Sequence, residues 1–199
     1  MSATPKQRRQ ERTRQAILDA ARELILEKGL DRLSLRAVAR KVDYSPAGLY
    51  EYFANKEAII TTLAQQVSSR LYLALENEVQ QSDEPPLVAI GLAYIRFARE
   101  NREDFQLMFS RFHSNRTSED APVSQHSPYK VLADAVKQSI QDGSIHMPTH
   151  MSVDQIGYSL WALCHGAAML QISHLDGFQA DFEATDRFAF QALLEGLST

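Results

Sequence analysis

The chain has 199 residues, 44% of them hydrophobic, and a formal net charge of −4. That is enough apolar material for a proper core, which excludes wholesale disorder, and no apolar run is long enough to span a bilayer. A single cysteine, Cys164, excludes an intrachain disulfide framework and a cysteine-rich zinc site.

The net charge hides an asymmetry. Residues 1–60 hold 12 Lys/Arg against 8 Asp/Glu, and residues 61–199 hold 9 against 17. A basic head on an acidic body suits a protein that touches a polyanion with one end. Lys6, Arg8, Arg9, Arg12 and Arg14 are the sharpest part of that head. Met1–Gln10 has no apolar stretch behind its cations, so no signal peptide is expected, and the expected location is a reducing cytoplasm.

In chain order the pattern is helical. Ile17, Leu18, Ala21, Leu24 and Ile25 recur at helical spacing and Gly29 supplies a stop. This predicts a first helix near Thr13–Lys28 behind a basic arm over residues 1–12. Ser34 can cap a short second helix containing Leu35, Val38, Ala39 and Val42. After Asp43-Tyr44, Ser45 as cap and Pro46 at the first helical position predict a third, about Pro46–Tyr52. Asn55 caps a fourth that runs toward Gln80, with Ile59, Leu63, Val67, Leu71 and Leu75 on its buried side. Residues 87–100 and 102–112 continue as helices rich in aromatic and long apolar side chains, 114–126 reads as a loop, and Ser127-Pro128 starts a helix to about Gln141. Ser152 and Gln155 have capping-box spacing for a long helix to about Leu175. A last helix covers about Gln179–Leu197. The expected fold is all-α, with about nine helices: a helix-turn-helix head over 13–58 and a larger helical body over 59–199.

The segment Ser34–Tyr52 has the organisation that reading a major groove requires, with one helix crossing behind another. Ser45, Ala47 and Gly48 are small enough for close backbone approach. Tyr50 and Tyr52 carry hydroxyls for phosphates, and Lys56, Arg36 and Arg40 carry charge. The helix starts at Ser34, Ser45 and Asn55 offer backbone N–H groups. Asp43 occupies a turn where φ > 0 is needed and where Asp is among the less penalised residues.

Within the body, Ile156, Leu160, Leu163, Ala167 and Leu170 form one apolar stripe on the long helix, and Trp161, His165, Ala168 and Ile172 a second. A helix apolar on both sides is packed on both sides. The aromatic and methionine content predicts an apolar effector pocket drawn from Tyr94, Phe97, Phe105, Met108, Phe109, Phe112, Trp161, His165 and Met169. Enzyme readings fare poorly. Cys164 and His165 are adjacent and diverge on a helix, which argues against a thiol–imidazole pair. His146 and His150 flank Pro148 in a stretch that reads as a loop, and no glycine-rich phosphate loop occurs. No catalytic residue, metal or cofactor is expected. A non-DNA-binding helical adaptor would need neither the basic arm nor the Tyr50–Lys56 arrangement.

The stretch SLRAVARKVDYSPAGLYEYFANKEAII, and above all Leu49-Tyr50-x-x-Phe53-x-x-Lys56-Glu57, resembles TetR-family transcriptional regulators from Thr13 to Ile60. The resemblance implies a three-helix DNA-binding head in which Ser45–Tyr50 read the groove, Pro46 among them, and Tyr50 and Lys56 meet phosphates. Asp43 departs from the glycine usual there. Trp161-x-x-x-His165-Gly166 is similar to the WHG type of C-terminal domain in this family. The resemblance makes the last two helices a homodimer interface, with Ile156, Leu160, Leu163, Ala167, Phe182, Phe190 and Leu194 as candidates. The implied partners are duplex DNA with a two-fold-symmetric operator and a small hydrophobic or amphipathic effector, with no membrane. The implied function is a repressor released by that effector, with an activator or ligand-independent regulator open on the same scaffold.

Overall fold

The computed structural model describes residues 4–110, 126–146, 148 and 151–197, the Ser110 side chain excepted. Phe112, His150 and the expected loop up to Gln125 lie outside them. Among the described residues the chain forms nine α-helices, one 3-10 turn and no strand. By contact it divides into two units: one runs to Gln66 and takes in the end of the sixth helix from Leu107, and the other comprises the rest.

The first unit is built on α1 (Pro5–Lys28), a 3-10 turn (Leu30–Arg32), α2 (Leu35–Lys41), α3 (Pro46–Leu49) and the start of α4 (Lys56–Gln81). α1 begins eight residues before the expected Thr13, so the basic arm is helical from Pro5. The cause is local: Thr4 accepts from Gln7 N–H, the Gln7 side chain returns the bond to Thr4 N–H, and Pro5 stands where a missing N–H costs nothing. Ile17, Leu18, Ala21 and Leu24 bury against Leu33, Val38, Ala39, Leu49, Phe53, Ile59, Ile60 and Leu63, with Ile25 and Leu35 packed at the margin.

In the second unit α5 (Pro86–Glu100) is the central rod: eleven of its residues are buried, including Leu87 through Ile95 without interruption. Around it stand α7 (Pro128–Gln141), α8 (Val153–Gln171) and α9 (Phe182–Gly196). A helix apolar all round must be enclosed, which explains its position. Gly91 lets α9 approach: a Cβ there would lie 2.6 Å from Cε1 and Cε2 of Phe190. Arg187 on α9 donates to Glu84 at 2.7 Å, and Arg96 pairs with Glu78 on α4. α6 (Arg102–Ser110) starts in this unit, where Arg102 pairs with Asp176. α8 stops at Gln171, short of the expected Leu175, and residues to Gly177, at φ +83°, turn the chain toward α9.

Candidate nucleic-acid interface and the aromatic cluster of the body

The α2–α3 turn is where backbone conformation decides what is presented. Val42 caps α2, and Asp43 then adopts φ +56°, the one positive φ at a non-glycine residue among those described. Tyr44 N–H reaches back to Ala39 C=O at 2.9 Å, closing the turn. The expectation that this position needs a left-handed conformation is met, with aspartate in place of glycine.

α3 is a single turn, Pro46–Leu49, shorter than expected because Tyr50 is already its cap. Ser45 Oγ accepts from Gly48 N–H at 3.0 Å, and Ser34 Oγ accepts from Ala37 N–H at 3.2 Å. Each hydroxyl keeps its own proton to donate. Asn55 Oδ1 caps α4 through Ala58 N–H at 2.8 Å. Leu49 is fully buried, so it anchors α3, while Ser45, Pro46, Ala47 and Tyr50 are exposed. Gly48, Tyr52 and Lys56 are half-buried, and Ser34 and Arg36 are exposed. The residues expected on the interface from Ser45 to Lys56 therefore form one short run around α3 and the start of α4. One exposed aromatic, Tyr44, was not among them. It stands edge-on to Tyr52, with centroids 6.4 Å apart. Its signal in the sequence is its place directly after the left-handed residue.

The cations of the head sort into two groups. Lys41 Nζ sits 2.8 Å from Glu23 and 3.2 Å from Glu27, whose hydrogen bonds hold its pKa above the ordinary value, and so ties α2 to α1. Arg14 lies over the Phe53 ring at 4.6 Å, a cation–π contact. Lys6, Arg8, Arg9, Arg12, Arg36 and Arg40 are exposed.

In the body, the rings of Tyr94, Phe105, Trp161 and His165 lie near one another, and Tyr129 joins them. Trp161 Nε1–H donates to Tyr94 Oη at 3.4 Å, which stands 3.0 Å from His165 Nδ1. A neutral His165 with its proton on Nε2 can accept at Nδ1 from the Tyr94 hydroxyl, an arrangement compatible with the indole donation to the same oxygen. Burial acts in the same sense: it pushes Tyr94 up and His165 down from their ordinary pKa values. The Phe105 ring lies 5.4 Å from Tyr94 and 6.0 Å from His165, and Tyr129 lies 6.1 Å from Trp161. Phe97 is buried and Met169 half-buried on the same helices. Met108 is buried and Phe109 half-buried, both in the stretch of α6 that groups with the first unit. A cavity of about 390 Å3 between α5 and α9, lined by Arg96, Arg99, Glu100, Glu183 and Asp186 over Leu92 and Ile95, shares no residue with this cluster.

Burial pushes the Cys164 thiol up to about 12, and its S–H points to Trp161 C=O at 3.3 Å, so it is no nucleophile at neutral pH. Among the described residues no three metal-ligating side chains converge, and no helix is long and apolar enough to cross a membrane.

Three of the seven residues expected at an interface on α8 and α9 are buried within the chain. Ile156, Leu160 and Phe190 are at most 2% exposed within the chain and have no surface to offer. Leu163, Ala167, Phe182 and Leu194 are half-buried. The large apolar side chains left exposed are Tyr158, Trp161 and Leu170 on α8 and Phe188 on α9, the last 72% exposed, with Ala162 exposed between Tyr158 and Leu170. Tyr158, Ala162, Gly166 and Leu170 recur at four-residue spacing, one continuous face.

Residues 17–63 match the model of "Bacterial regulatory proteins, tetR family", and residues 87–197 match "Tetracyclin repressor-like, C-terminal domain". The uncharacterised HTH-type transcriptional regulator YobS of Bacillus subtilis is 24% identical over 93% of this chain and 92% of its own length. The HTH-type transcriptional regulator UidR of Escherichia coli is 40% identical over 58 residues, 29% of this chain and 30% of UidR. A solved protein of unknown function from Rhodococcus sp. RHA1 superposes with a TM-score of 0.78 at 25% identity, covering 94% of this chain and 95% of that one.

Proposed function

From the fact that the chain belongs to the tetR family of bacterial regulatory proteins, and is a DNA-binding transcriptional regulator, we propose that it acts as a dimeric repressor which a small hydrophobic or amphipathic effector releases from a two-fold-symmetric operator. The observation that carries the DNA reading is the left-handed turn at Asp43 followed by the exposed run Ser45–Tyr50 on a buried Leu49. Small residues bring the α3 backbone close to the groove, and Tyr50 and Lys56 flank it with donors for phosphate. With Ala47 and Gly48 offering no side-chain donors, base readout rests on Pro46 and methyl contacts, with DNA shape supplying the rest.

The functional division is a DNA-binding head over 13–58 and an effector-binding and dimerisation body over 59–199. Support for the dimer is the face Tyr158–Leu170 with Phe188, which as a self-complementary patch sets two heads on two half-sites. Support for the effector site, and for a body of the WHG type, is the aromatic cluster with one internal hydrogen-bonded chain, Trp161 to Tyr94 to His165. Release follows when the effector binds the DNA-incompetent arrangement more tightly, because only differential affinity shifts an equilibrium. α4 and α6 each run unbroken from one unit into the other, so either can carry the shift.

The test is fluorescence anisotropy with a duplex selected by the wild-type protein. Tyr50→Ala, at a 61% exposed side chain, is expected to lose at least tenfold in affinity, about 1.4 kcal/mol, with helical content unchanged. Wild-type affinity in that variant would overturn the assignment of α3 as the reading element.

A further inference from the structure

We propose that the helical extension Pro5–Arg12 at the start of α1 is a second surface for the DNA phosphate backbone, separate from the run Ser45–Lys56. The inference rests on the reading that the head holds duplex DNA, and it concerns a part of the chain that the match at residues 17–63 does not reach.

Residues 5–12, PKQRRQER, contain no large apolar side chain, and every one of them is exposed. No burial holds this segment to the head. It is helical because Thr4 and Gln7 close a capping box and because it continues a helix whose later turns are buried. It carries Lys6, Arg8, Arg9 and Arg12 against a single acid, Glu11. Arg8, Arg9 and Arg12, at i, i+1 and i+4, share one side of the helix.

The contrast with the neighbouring cations is what separates a contact surface from structural charge. Lys41 is spent on Glu23 and Glu27, and Arg14 on the Phe53 ring. Arg8, Arg9 and Arg12 enter no ion pair among the described residues. The Arg14–Phe53 contact also fixes where the extension begins. Phe53 lies between Tyr50 and Lys56 in sequence, so the extension leaves the head beside the residues that flank the groove.

At 1.5 Å per residue, eight residues run about 12 Å. Each strand of a duplex presents one phosphate per about 3.4 Å of axis, so an extension lying along one strand passes about three or four of them. Arginine suits that task, because its planar fork bonds phosphate oxygens bidentately and stays charged.

The experiment measures the slope of log Kobs against log salt concentration for two duplexes, one selected by the wild-type protein and one scrambled. It compares the full-length wild type with R8Q/R9Q/R12Q, with the charge-keeping R8K/R9K/R12K, and with K137Q/R99Q as a control for net charge on the body. Each lost phosphate contact lowers the slope by about 0.9. The glutamine variant is expected to lose about 2 to 3 per protomer on both duplexes, at wild-type helicity and with its preference for the selected duplex retained. The lysine variant and the body control are expected to keep the wild-type slope. Equal slopes in wild type and the glutamine variant would overturn the proposal, and so would an equal fall in the body control. A slope difference without preference for the selected duplex would sustain the extension and sink the specific-regulator reading. Absence of any duplex binding by the wild type would overturn both.

Discussion

Replacing Asp43 asks whether the α2–α3 turn is held in the left-handed region. An L-residue with a Cβ pays about 1–2 kcal/mol there, aspartate less than most, and glycine nothing. Asp43 stands at φ +56°. Glycine also loses more chain entropy on folding, by about 0.5–1 kcal/mol relative to alanine. Asp43→Gly is therefore expected to stabilise by about 0.5 kcal/mol, Asp43→Asn to be neutral, and Asp43→Ala to destabilise by about 0.5–1 kcal/mol, with Asp43→Val worse still. In a chain of this size 1 kcal/mol moves the melting temperature by about 2–4 °C, so the series resolves by circular dichroism with replicate melts. The asparagine variant isolates the charge. A carboxylate about 10 Å from a phosphate is repelled by about 0.4 kcal/mol in water before screening, so operator affinity rises by about twofold or less. An alanine variant as stable as the glycine variant, or more stable, would refute the left-handed turn, because at φ < 0 glycine keeps only its entropy cost.

The other perturbations address the body. Gly91→Ala places a methyl against the buried Phe190 ring and is expected to cost about 1–3 kcal/mol despite its better helix propensity, with partial recovery in G91A/F190L; denaturant midpoints decide it. Burial holds the folded-state pKa of His165 below 6.5. The unfolded chain therefore takes up that proton first. Stability is full above pH 6.5 and falls as pH drops from there through the folded pKa. Melts of wild type and His165→Asn across pH 4–8 should show this component missing from the variant, and identical profiles would contradict the burial of the ring. Phe188→Glu or Leu170→Glu is expected to shift sedimentation toward a folded monomer and to weaken operator binding; an unchanged dimer would place the interface elsewhere.

Much of this fold is legible because its signals are local. Ser34, Ser45, Asn55 and Ser152 each cap the helix they were expected to cap, since the geometry involves only the next three residues. Thr4 and Gln7 carry the same signal for α1, but an apolar stripe that begins at Ile17 drew the expected start too far downstream. Periodicity finds stripes and does not say which side the chain itself covers. On α8 the stripe assigns Ile156 and Leu160 to a partner, whereas both are buried within the chain, on a helix that α5 and α7 pack against. Trp161 and His165 are one turn apart and legible as a pair, whereas Tyr94, which links them, comes from 71 residues before His165. The division of α6 between two units, with Phe105 on one side and Leu107 on the other, depends on which core each residue enters, and composition does not carry that.

The most direct test of the regulator account is selection of bound sequences from a random duplex pool by the purified full-length chain at physiological salt. The expected result is one enriched motif with two-fold symmetry, its half-sites separated by about one helical turn or a multiple of it. Bulk binding that disappears as salt rises, with no sequence enriched, would contradict it.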